Sequence, residues 1–380
     1  MKVGWEETKL KEVLTLEYGK PLLKDKRDNN GKYPVYGANG IISKTNQSYY
    51  NKKTIIIGRK GSAGEVNLTE EKFWPLDVTY FVTFNEHKHN LLFLYYLLHS
   101  LDLPKLARGV KPGINRNEVY EIKIPLPPLF EQQRIVATLD LVFITINKIK
   151  TNTERNLKNA RELFESYLQS VFENRHDKWE ERSLEQIIQK TETVDPTKKP
   201  NDKFVYLDVS SVNKENKEIE NVTVILGKNA PSRARRIIKT GDVIFATVRP
   251  THSRVAIISE KYDQQVCSTG YFIFRTKKFL KNNLLFYFLL TPSFKEKMEK
   301  LQKGASYPAV TDKDIKSVLI SFPQSLFDQQ NIVRKLDTLW AQTKRLEMLY
   351  QQKLEDLEKL KKSILRQAFN GELKIDGRSD

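Results

Sequence analysis

Cysteine is almost absent from this sequence, which has one cysteine among its 380 residues. Cys267 therefore has no partner within the chain for a disulfide, and a zinc site of several thiolates is excluded. Long apolar runs are also lacking, because the longest, residues 91–98, is far short of the roughly 20 residues that cross a bilayer. The N-terminus has no apolar signal-peptide core. These features predict a soluble, cytoplasmic protein with no membrane partner.

The motifs of nucleotide chemistry and base modification are missing too. The sequence has no GxxxxGK[ST] phosphate-binding loop, no helicase-like pattern, and no NPPY or DPPY tetrapeptide of the kind that holds an extruded adenine. Asp202, Glu215 and Lys217 loosely resemble a nuclease's metal-binding set, but their polar surroundings are typical of a surface loop. His87 and His89 are better explained by a polar turn than by a metal site. We therefore predict no catalytic, cofactor-binding or metal-binding residue.

Positive charge is in excess and unevenly distributed. The formal net charge is +17. Residues 1–128 carry 20 Lys and Arg against 14 Asp and Glu, and residues 173–325 carry 27 against 19, so these stretches have excesses of +6 and +8. Residues 129–172 and 326–380 add only +1 and +2. A merely solvated surface would spread the excess evenly, whereas two basic stretches suit a polyanionic partner contacted at two places.

A long internal repeat organises the chain. Four pairs of segments match in the same order, at offsets that grow from 174 to 197 residues: WEETKLKEVL from Trp5 with WEERSLEQII from Trp179, YYLL from Tyr95 with YFLL from Tyr287, the Gly109 loop with the Gly304 loop, and FEQQRIV from Phe130 with FDQQNIV from Phe327. Each half therefore begins and ends alike, and the second half contains insertions.

Each half combines strand-like and helical segments. Runs rich in β-branched and aromatic residues predict strands in KTIIIGRK, VTYFVTF and EIKIPLP of the first half, and in NVTVIL, GDVIFATV, RVAIIS and TGYFIF of the second. Helical periodicity marks residues 90–101 and 283–301. Both globular stretches are thus predicted to be mixed α/β, and the fold class is α+β.

Two segments without proline or glycine follow Pro128 and Pro323, each for about forty residues. Steps of three and four residues from Ile135 and from Ile332 trace the same heptad seam in both, which predicts two long helices that pair as an antiparallel coiled coil. A plain oligomerisation device is the alternative, but both copies lie in one chain and can pair with each other. The expected architecture is pseudo-twofold symmetric, like a DNA duplex.

These patterns divide the chain into four parts. We predict a first globular domain at residues 1–128, a central long helix at 129–172, a second globular domain at 173–325, and a C-terminal long helix and tail at 326–380.

The sequence resembles the specificity subunits of type I restriction-modification systems over essentially its full length. The resemblance rests on four segments: IPLPPLFEQQRIV (Ile124 to Val136), its degenerate copy ISFPQSLFDQQNIV (Ile320 to Val333), GRKGSAG (Gly58 to Gly64) and KKSILRQAFNGEL (Lys361 to Leu373). It implies a non-catalytic subunit whose two domains each read one half of a bipartite site in double-stranded DNA. It also implies as partners two adenine-methylating modification subunits and ATP-dependent restriction subunits, which would hold the S-adenosylmethionine, ATP and Mg²⁺.

The first domain offers DNA-binding candidates in two glycine-containing loops. Glycines let a backbone approach phosphates, and basic side chains contact phosphate or guanine. The alternatives are a simple turn for the first loop and a left-handed helix C-cap at Gly109 for the second. The candidates are Arg59, Lys60, Ser62, Arg108, Lys111 and Asn115.

The second domain has ATVRPTHSRV where the first has GRKGSAGEV, so the two domains are expected to read different half-sites. Arginine supplies the two-pronged donor that recognises guanine. The competing interpretation is an exposed charged loop or, at Gly304, a helix cap. The candidates are Arg233, Arg235, Arg236, Arg249, Arg254, Lys303, Ser306 and Tyr307.

Two other functions are compatible with the composition. A coiled-coil adaptor that bridges protein subunits without binding DNA is the main alternative, and steep salt dependence of duplex binding would distinguish the two. An RNA-binding protein could use the 10% aromatic content for base stacking, but no aromatic RNP-type strand motif is present.

Overall fold

The repeat corresponds to two units in the computed structural model, which describes residues 4–173 and 179–373. The first unit comprises the described parts of Met1–Glu154 and Gln352–Asp380, and the second is Arg155–Gln351. Both combine small sheets with helices, as the α+β prediction required. The elements that begin in the first unit are β1 (Glu6–Lys9), α1 (Leu10–Val13), β2 (Leu14–Tyr18), β3 (Tyr33–Gly37), β4 (Gly40–Thr45), β5 (Ile55–Gly58), β6 (Val66–Leu68), β7 (Trp74–Pro75), β8 (Thr79–Phe84), α2 (Leu91–Ser100), α3 (Arg116–Tyr120), β9 (Lys123–Leu126) and α4 (Leu129–Glu173).

The second unit follows a similar plan, with nine described strands as in the first unit and one more helix. Its elements are β10 (Trp179–Ser183), α5 (Leu184–Ile187), β11 (Lys203–Leu207), β12 (Thr223–Leu226), β13 (Ala234–Ile237), β14 (Val243–Ala246), β15 (Val255–Ile257), β16 (Val266–Ser268), β17 (Tyr271–Phe274), α6 (Asn282–Leu289), α7 (Pro292–Leu301), α8 (Asp312–Lys316), β18 (Leu319–Pro323) and α9 (Leu326–Phe369).

The first and last strands of each half pair with one another. Strand β1 lies antiparallel to β9, with Glu6 opposite Leu126, and β10 lies antiparallel to β18, with Trp179 opposite Pro323. The matching segments that begin and end the repeat are therefore neighbours in space. Leu10 and its counterpart Leu184 are both fully buried directly after these first strands.

In the first unit the central sheet has the order β2-β8-β5-β6, and a smaller sheet has the order β4-β3-β7. Strand β5 is buried along its whole length, as its run of β-branched residues predicts. In the second unit the corresponding sheet has the order β15-β14-β17, and a second sheet has the order β12-β11-β16-β13. Helices α2 and α6 cover the cores of their respective units.

The structure corrects two details of the helical prediction. The segment 283–301 is two helices, because Pro292 begins α7 with Thr291 as its N-cap. The equivalence of α2 and α6 is also shifted by one residue from the YYLL–YFLL alignment. Tyr96 donates a hydrogen bond to Asp140, and Tyr287 donates the same bond to Asp337, so the offset here is 191 residues.

The two long helices are present and pack against each other within each unit. In the first, Lys150 on α4 pairs with Glu358 on α9 at 2.7 Å; in the second, Arg161 pairs with Glu347 at 3.0 Å. Residue numbers rise along one helix as they fall along the other, so the packing is antiparallel. None of the described helices combines the length and apolar character that crossing a membrane requires.

The strict heptad seam was only partly right. Ile135, Leu139 and Ile146 are buried as predicted, whereas Leu163 is 73% exposed and its neighbour Phe164 is buried. On α9 the steps from Ile332 predict Leu346 and Leu360 in the seam, but both are exposed, and Leu365 and Ala368 are buried instead. A straight helix has 3.6 residues per turn and drifts away from a 3.5-residue repeat, so the buried stripe moves to the next residue.

Candidate nucleic-acid interface

Two loops meet at one edge of the first unit. The first hairpin loop, residues 59–65, joins β5 to β6, and the first adjacent loop, residues 107–115, leads into α3. The backbone amide of Gly61 donates a hydrogen bond of 2.8 Å to the carbonyl oxygen of Pro112. The backbone amide of Ile114 donates one of 3.0 Å to the carbonyl oxygen of Arg59. The structure thus brings together the two loops that the sequence analysis selected separately.

Glycines fix the shape of the first hairpin loop. Gly64 has φ +87°, and a Cβ there would lie 2.4 Å from the backbone nitrogen of Pro104. A Cβ on Gly58 would lie 2.0 Å from the carbonyl oxygen of Ser62. Neither position can accept a side chain without a shift of the backbone, so both glycines are required for packing within the protein. Close approach of the loop backbone to a DNA phosphate is therefore not sufficient to explain these two glycines.

An arginine–tyrosine cluster lies beside the first hairpin loop. The guanidinium groups of Arg59 and Arg116 lie 5.0 Å and 4.7 Å from the ring centroid of Tyr18, which is 43% exposed. Arg59 also donates to the carbonyl of Asp77 at 2.8 Å. These contacts hold Arg59 in a defined orientation. Sequence reasoning missed Tyr18 and Arg116, although Tyr18 ends the strand that follows the first repeat motif.

The remaining candidates of the first domain have different surroundings. Lys60, Ser62 and Lys111 are exposed on the loops. Arg108 is exposed and lies 3.7 Å from Glu118. Asn115 is the N-cap of α3 and accepts a hydrogen bond from the amide of Asn117, so its side chain already has a structural role. Contact of these residues with DNA stays a prediction.

The second unit repeats the arrangement. The second hairpin loop, residues 247–254, joins β14 to β15, and the second adjacent loop is residues 302–311. The backbone amide of Arg249 donates a hydrogen bond of 2.7 Å to the carbonyl oxygen of Pro308. The backbone amide of Val310 donates one of 3.0 Å to the carbonyl oxygen of Thr247. Each bond matches one of the first unit. Arg249 therefore stands in the place of Gly61, and both have positive φ, at 49° and 84°.

Arg249 and Tyr307 form an exposed pair across the two loops. The guanidinium carbon of Arg249 lies 5.8 Å from the ring centroid of Tyr307, whose side chain is 75% exposed. Lys303 and Ser306 are exposed on the same adjacent loop. Gly304, like Gly109, has a left-handed backbone, as predicted. Neither glycine is a helix C-cap, because the C-cap residue of α2 is Leu101 and that of α7 is Gln302.

Three of the other four candidate arginines of the second domain have side-chain partners within the protein. Arg254 donates to the carbonyl of Val212, Arg236 lies 2.9 Å from Asp312, and Arg235 lies 3.5 Å from Asp195. Arg233 is exposed, and its carbonyl accepts a hydrogen bond from Thr269. A DNA-binding role for these four arginines remains a prediction that the structure does not test.

Lys217 was set aside in the sequence analysis and has a structural role. Its ammonium group donates to the carbonyl of Ser253 at 2.8 Å and to that of Lys214 at 2.5 Å. Burial, with the nearby charge of Lys344, lowers the pKa of Lys217 to about 8. Ser253 has φ 46° and lies near the end of the second hairpin loop. Lys217 therefore ties this strained end of the loop to the turn at residues 213–217.

Within residues 4–173 and 179–373, no cluster of three or more His, Cys, Asp or Glu side chains is suited to holding a metal ion. His89 lies in the core at 8% exposure, and burial lowers its pKa. The turn predicted there, ahead of the apolar helix, is present at residues 86–88 before α2, but His89 itself is buried.

The comparisons with known proteins agree in both sequence and fold. The family model described as "Type I restriction modification DNA specificity domain" matches residues 2–159 and 176–358. The specificity subunit of the type I restriction enzyme EcoDI from Escherichia coli is 23% identical, covering 100% of this chain and 90% of that protein. The MjaVIII specificity subunit from Methanocaldococcus jannaschii is 25% identical, covering 98% and 93%.

Solved structures share the fold. A chain from a structure that describes complex assembly and conformational transition of the type I R-M system aligns with a TM-score of 0.77 at 19% identity, covering 98% of this chain and 99% of that one. The HsdS subunit from Thermoanaerobacter tengcongensis aligns with a TM-score of 0.60 at 18% identity, covering 98% of both. Since the family model matches both halves of the repeat, the chain belongs to the specificity subunits of type I restriction-modification systems, a non-catalytic family that recognises DNA targets.

Proposed function

We propose that this chain reads a bipartite site in double-stranded DNA, with one half-site for each target recognition domain. The domains are residues 1–128 and 173–325, and the spacers are 129–172 and 326–380. The observation that carries the proposal is the duplicated pair of loops. Both pairs are joined by matched backbone hydrogen bonds, and both present basic side chains at the surface. One surface built twice, with different side chains, suits two different half-sites.

The charge distribution supports a duplex as the partner. The excess of positive charge is concentrated in the two domains, and Lys60, Lys111 and Lys303 are exposed on the loops. Lysines at such positions neutralise phosphates and release counterions, which makes affinity fall steeply with salt. A coiled-coil adaptor that only bridges protein subunits would bind duplex DNA weakly and without a preferred sequence.

Modification and restriction subunits are the proposed protein partners, and the outer face of α4 supports a protein contact there. Phe130, Leu141 and Ile144 are 62%, 68% and 66% exposed. Their spacing of eleven and three residues places them on one face of the helix. An apolar stripe left open on a helix surface is typical of a protein-binding site.

The decisive experiment coexpresses the chain with a cognate modification subunit and maps methylated adenines genome-wide. We expect one bipartite motif. Replacing residues 1–128 with the same segment of another specificity subunit should change one half-site and leave the other intact, because each domain contains its own pair of loops. If no motif is found and duplex binding is insensitive to salt, the adaptor function is the better account.

A further inference from the structure

Arg249 has a backbone conformation that favours glycine. Its φ and ψ are 49° and 56°, in the left-handed region, where an L side chain is strained. The first domain has a glycine, Gly61, at the equivalent position, with φ 84° and the matching amide hydrogen bond. The loop geometry therefore does not require a side chain at this point. The second domain nevertheless places an exposed arginine there.

The side chain of Arg249 is unlike those of the neighbouring arginines. Arg254 and Arg236 are bonded to Val212 and Asp312, as described above. By contrast, Arg249 forms no ion pair with the residues that the structure describes, and it is oriented by the ring of Tyr307 from the other loop. A guanidinium group stacked on a tyrosine loses less freedom when it binds a ligand, and its donors remain available.

We propose that Arg249 reads a guanine in the half-site of the second domain and that Tyr307 is the positioning residue for it. This inference rests on the proposed function. The planar guanidinium group can donate two parallel hydrogen bonds to O6 and N7 of guanine in the major groove. Strain at Arg249 is consistent with a side chain retained for contact, since strained non-glycine residues cluster at functional sites.

The test uses the full chain with its modification subunit and compares methylated motifs. Arg249→Gly installs the residue that the first domain has at Gly61. We expect the thermal unfolding midpoint to stay the same or rise, because strain is relieved, while one G·C position in one half-site becomes degenerate. Discrimination at that position should fall about ten- to a hundredfold. Arg249→Lys keeps the charge but lacks the two-pronged donor, so it should relax the same position.

Two further variants separate positioning from general effects. Tyr307→Ala should relax the sequence preference at the same base pair as Arg249→Gly does. Tyr307→Phe should keep that preference, because the aromatic ring is retained. Lys261→Ala is the matched control: Lys261 lies 5.2 Å from the ring centroid of Tyr262, outside both loops, and its removal should leave the motif unchanged.

Three outcomes are distinguishable. An unchanged motif in Arg249→Gly would overturn the inference while leaving the bipartite function intact. Equal weakening of binding to all sequences, with the motif preserved, would also overturn it and identify Arg249 as a phosphate contact. Absence of any bipartite motif with the unaltered chain would instead refute the proposed function itself.

Discussion

The side-chain oxygen of Gln132 accepts a hydrogen bond of 2.9 Å from the backbone amide of Asn90. The amide nitrogen of the same side chain donates to the carbonyls of Pro127 and Lys88. Gln329 makes the equivalent set of three bonds in the second unit, to Lys281, Pro323 and Phe279. Both glutamines are fully buried, and both come from the repeated FEQQ and FDQQ motifs. These motifs therefore connect the start of each long helix to its domain.

Replacing Gln132 with alanine should destabilise the first unit by about 1–3 kcal/mol, because one buried and two half-buried backbone groups would lose their partner. The matched control is Gln133→Ala, which removes the same side chain from the exposed neighbouring position and should change stability by less than about 0.5 kcal/mol. Chemical denaturation monitored by circular dichroism measures both. Equal losses in the two variants would show that the buried bonds are not what stabilises the helix start.

Acidification should weaken the first unit through His89. Burial lowers the pKa of His89, with a smaller contribution from the charge of Lys88. The unfolded state then binds more protons than the folded state at pH values below the ordinary histidine pKa, so stability is complete above about pH 6.5 and falls as the pH drops further. His89→Gln should lose less stability than the unaltered chain between pH 7.5 and 5.5. Parallel stability–pH curves for both proteins would contradict this.

The outer face of α4 should be needed for partner binding and not for folding. Leu141→Glu and Ile144→Glu place charges on side chains that are already exposed, so the unfolding midpoint should change little. Copurification of the modification subunit should fall at least tenfold, since burying an unpaired carboxylate opposes docking. Asn201→Glu, at an exposed position in the second domain outside α4, is the control and should copurify normally. Normal copurification of the Leu141 and Ile144 variants would remove α4 from the interface.

The spacer helices should set the distance between half-sites. Helices α4 and α9 continue without a break through Thr153 and Tyr350. One heptad inserted at both positions should add about 10 Å, equivalent to at most about three base pairs, while the half-site sequences stay the same. Affinity should fall as well, because three base pairs rotate the groove by about 100°. Motif mapping gives the number of base pairs between the half-sites. An unchanged number at full affinity would show that the helices do not set this distance.

Much of the fold could be predicted from local patterns. The runs at Ile55–Gly58 and Val243–Ala246 are β-branched, aromatic and fully buried, and both are strands in the structure. Strands β1 and β10 were not predicted, because EETK and WEERS lack apolar alternation and depend on pairing with residues more than a hundred positions away. The seam failed near Leu163 for a related reason, since tertiary packing and helix pitch decide which residue is buried.

The candidate site was predicted as two separate loops in each half, together with the arginine cluster at residues 233–236. Three of the four loops were selected for basic residues beside glycine, and the fourth for the arginines around Pro250. The contacts between the loops could not be predicted, because Gly61 and Pro112 are far apart in sequence and meet only through backbone hydrogen bonds. Tyr18 and Lys217 were missed for the same reason. A tyrosine at a strand end and a lysine in a polar turn are ordinary in sequence, and their partners appear only in three dimensions.

The division of the long helices between units has a consequence for synthesis on the ribosome. The second unit is continuous, from Arg155 to Gln351, whereas the core of the first includes Leu365 and Phe369 near the end of α9. The first unit therefore cannot complete its core until nearly the whole chain has emerged. The unit translated first finishes folding last, and during that interval its apolar face on α4 lacks the α9 segment that covers it.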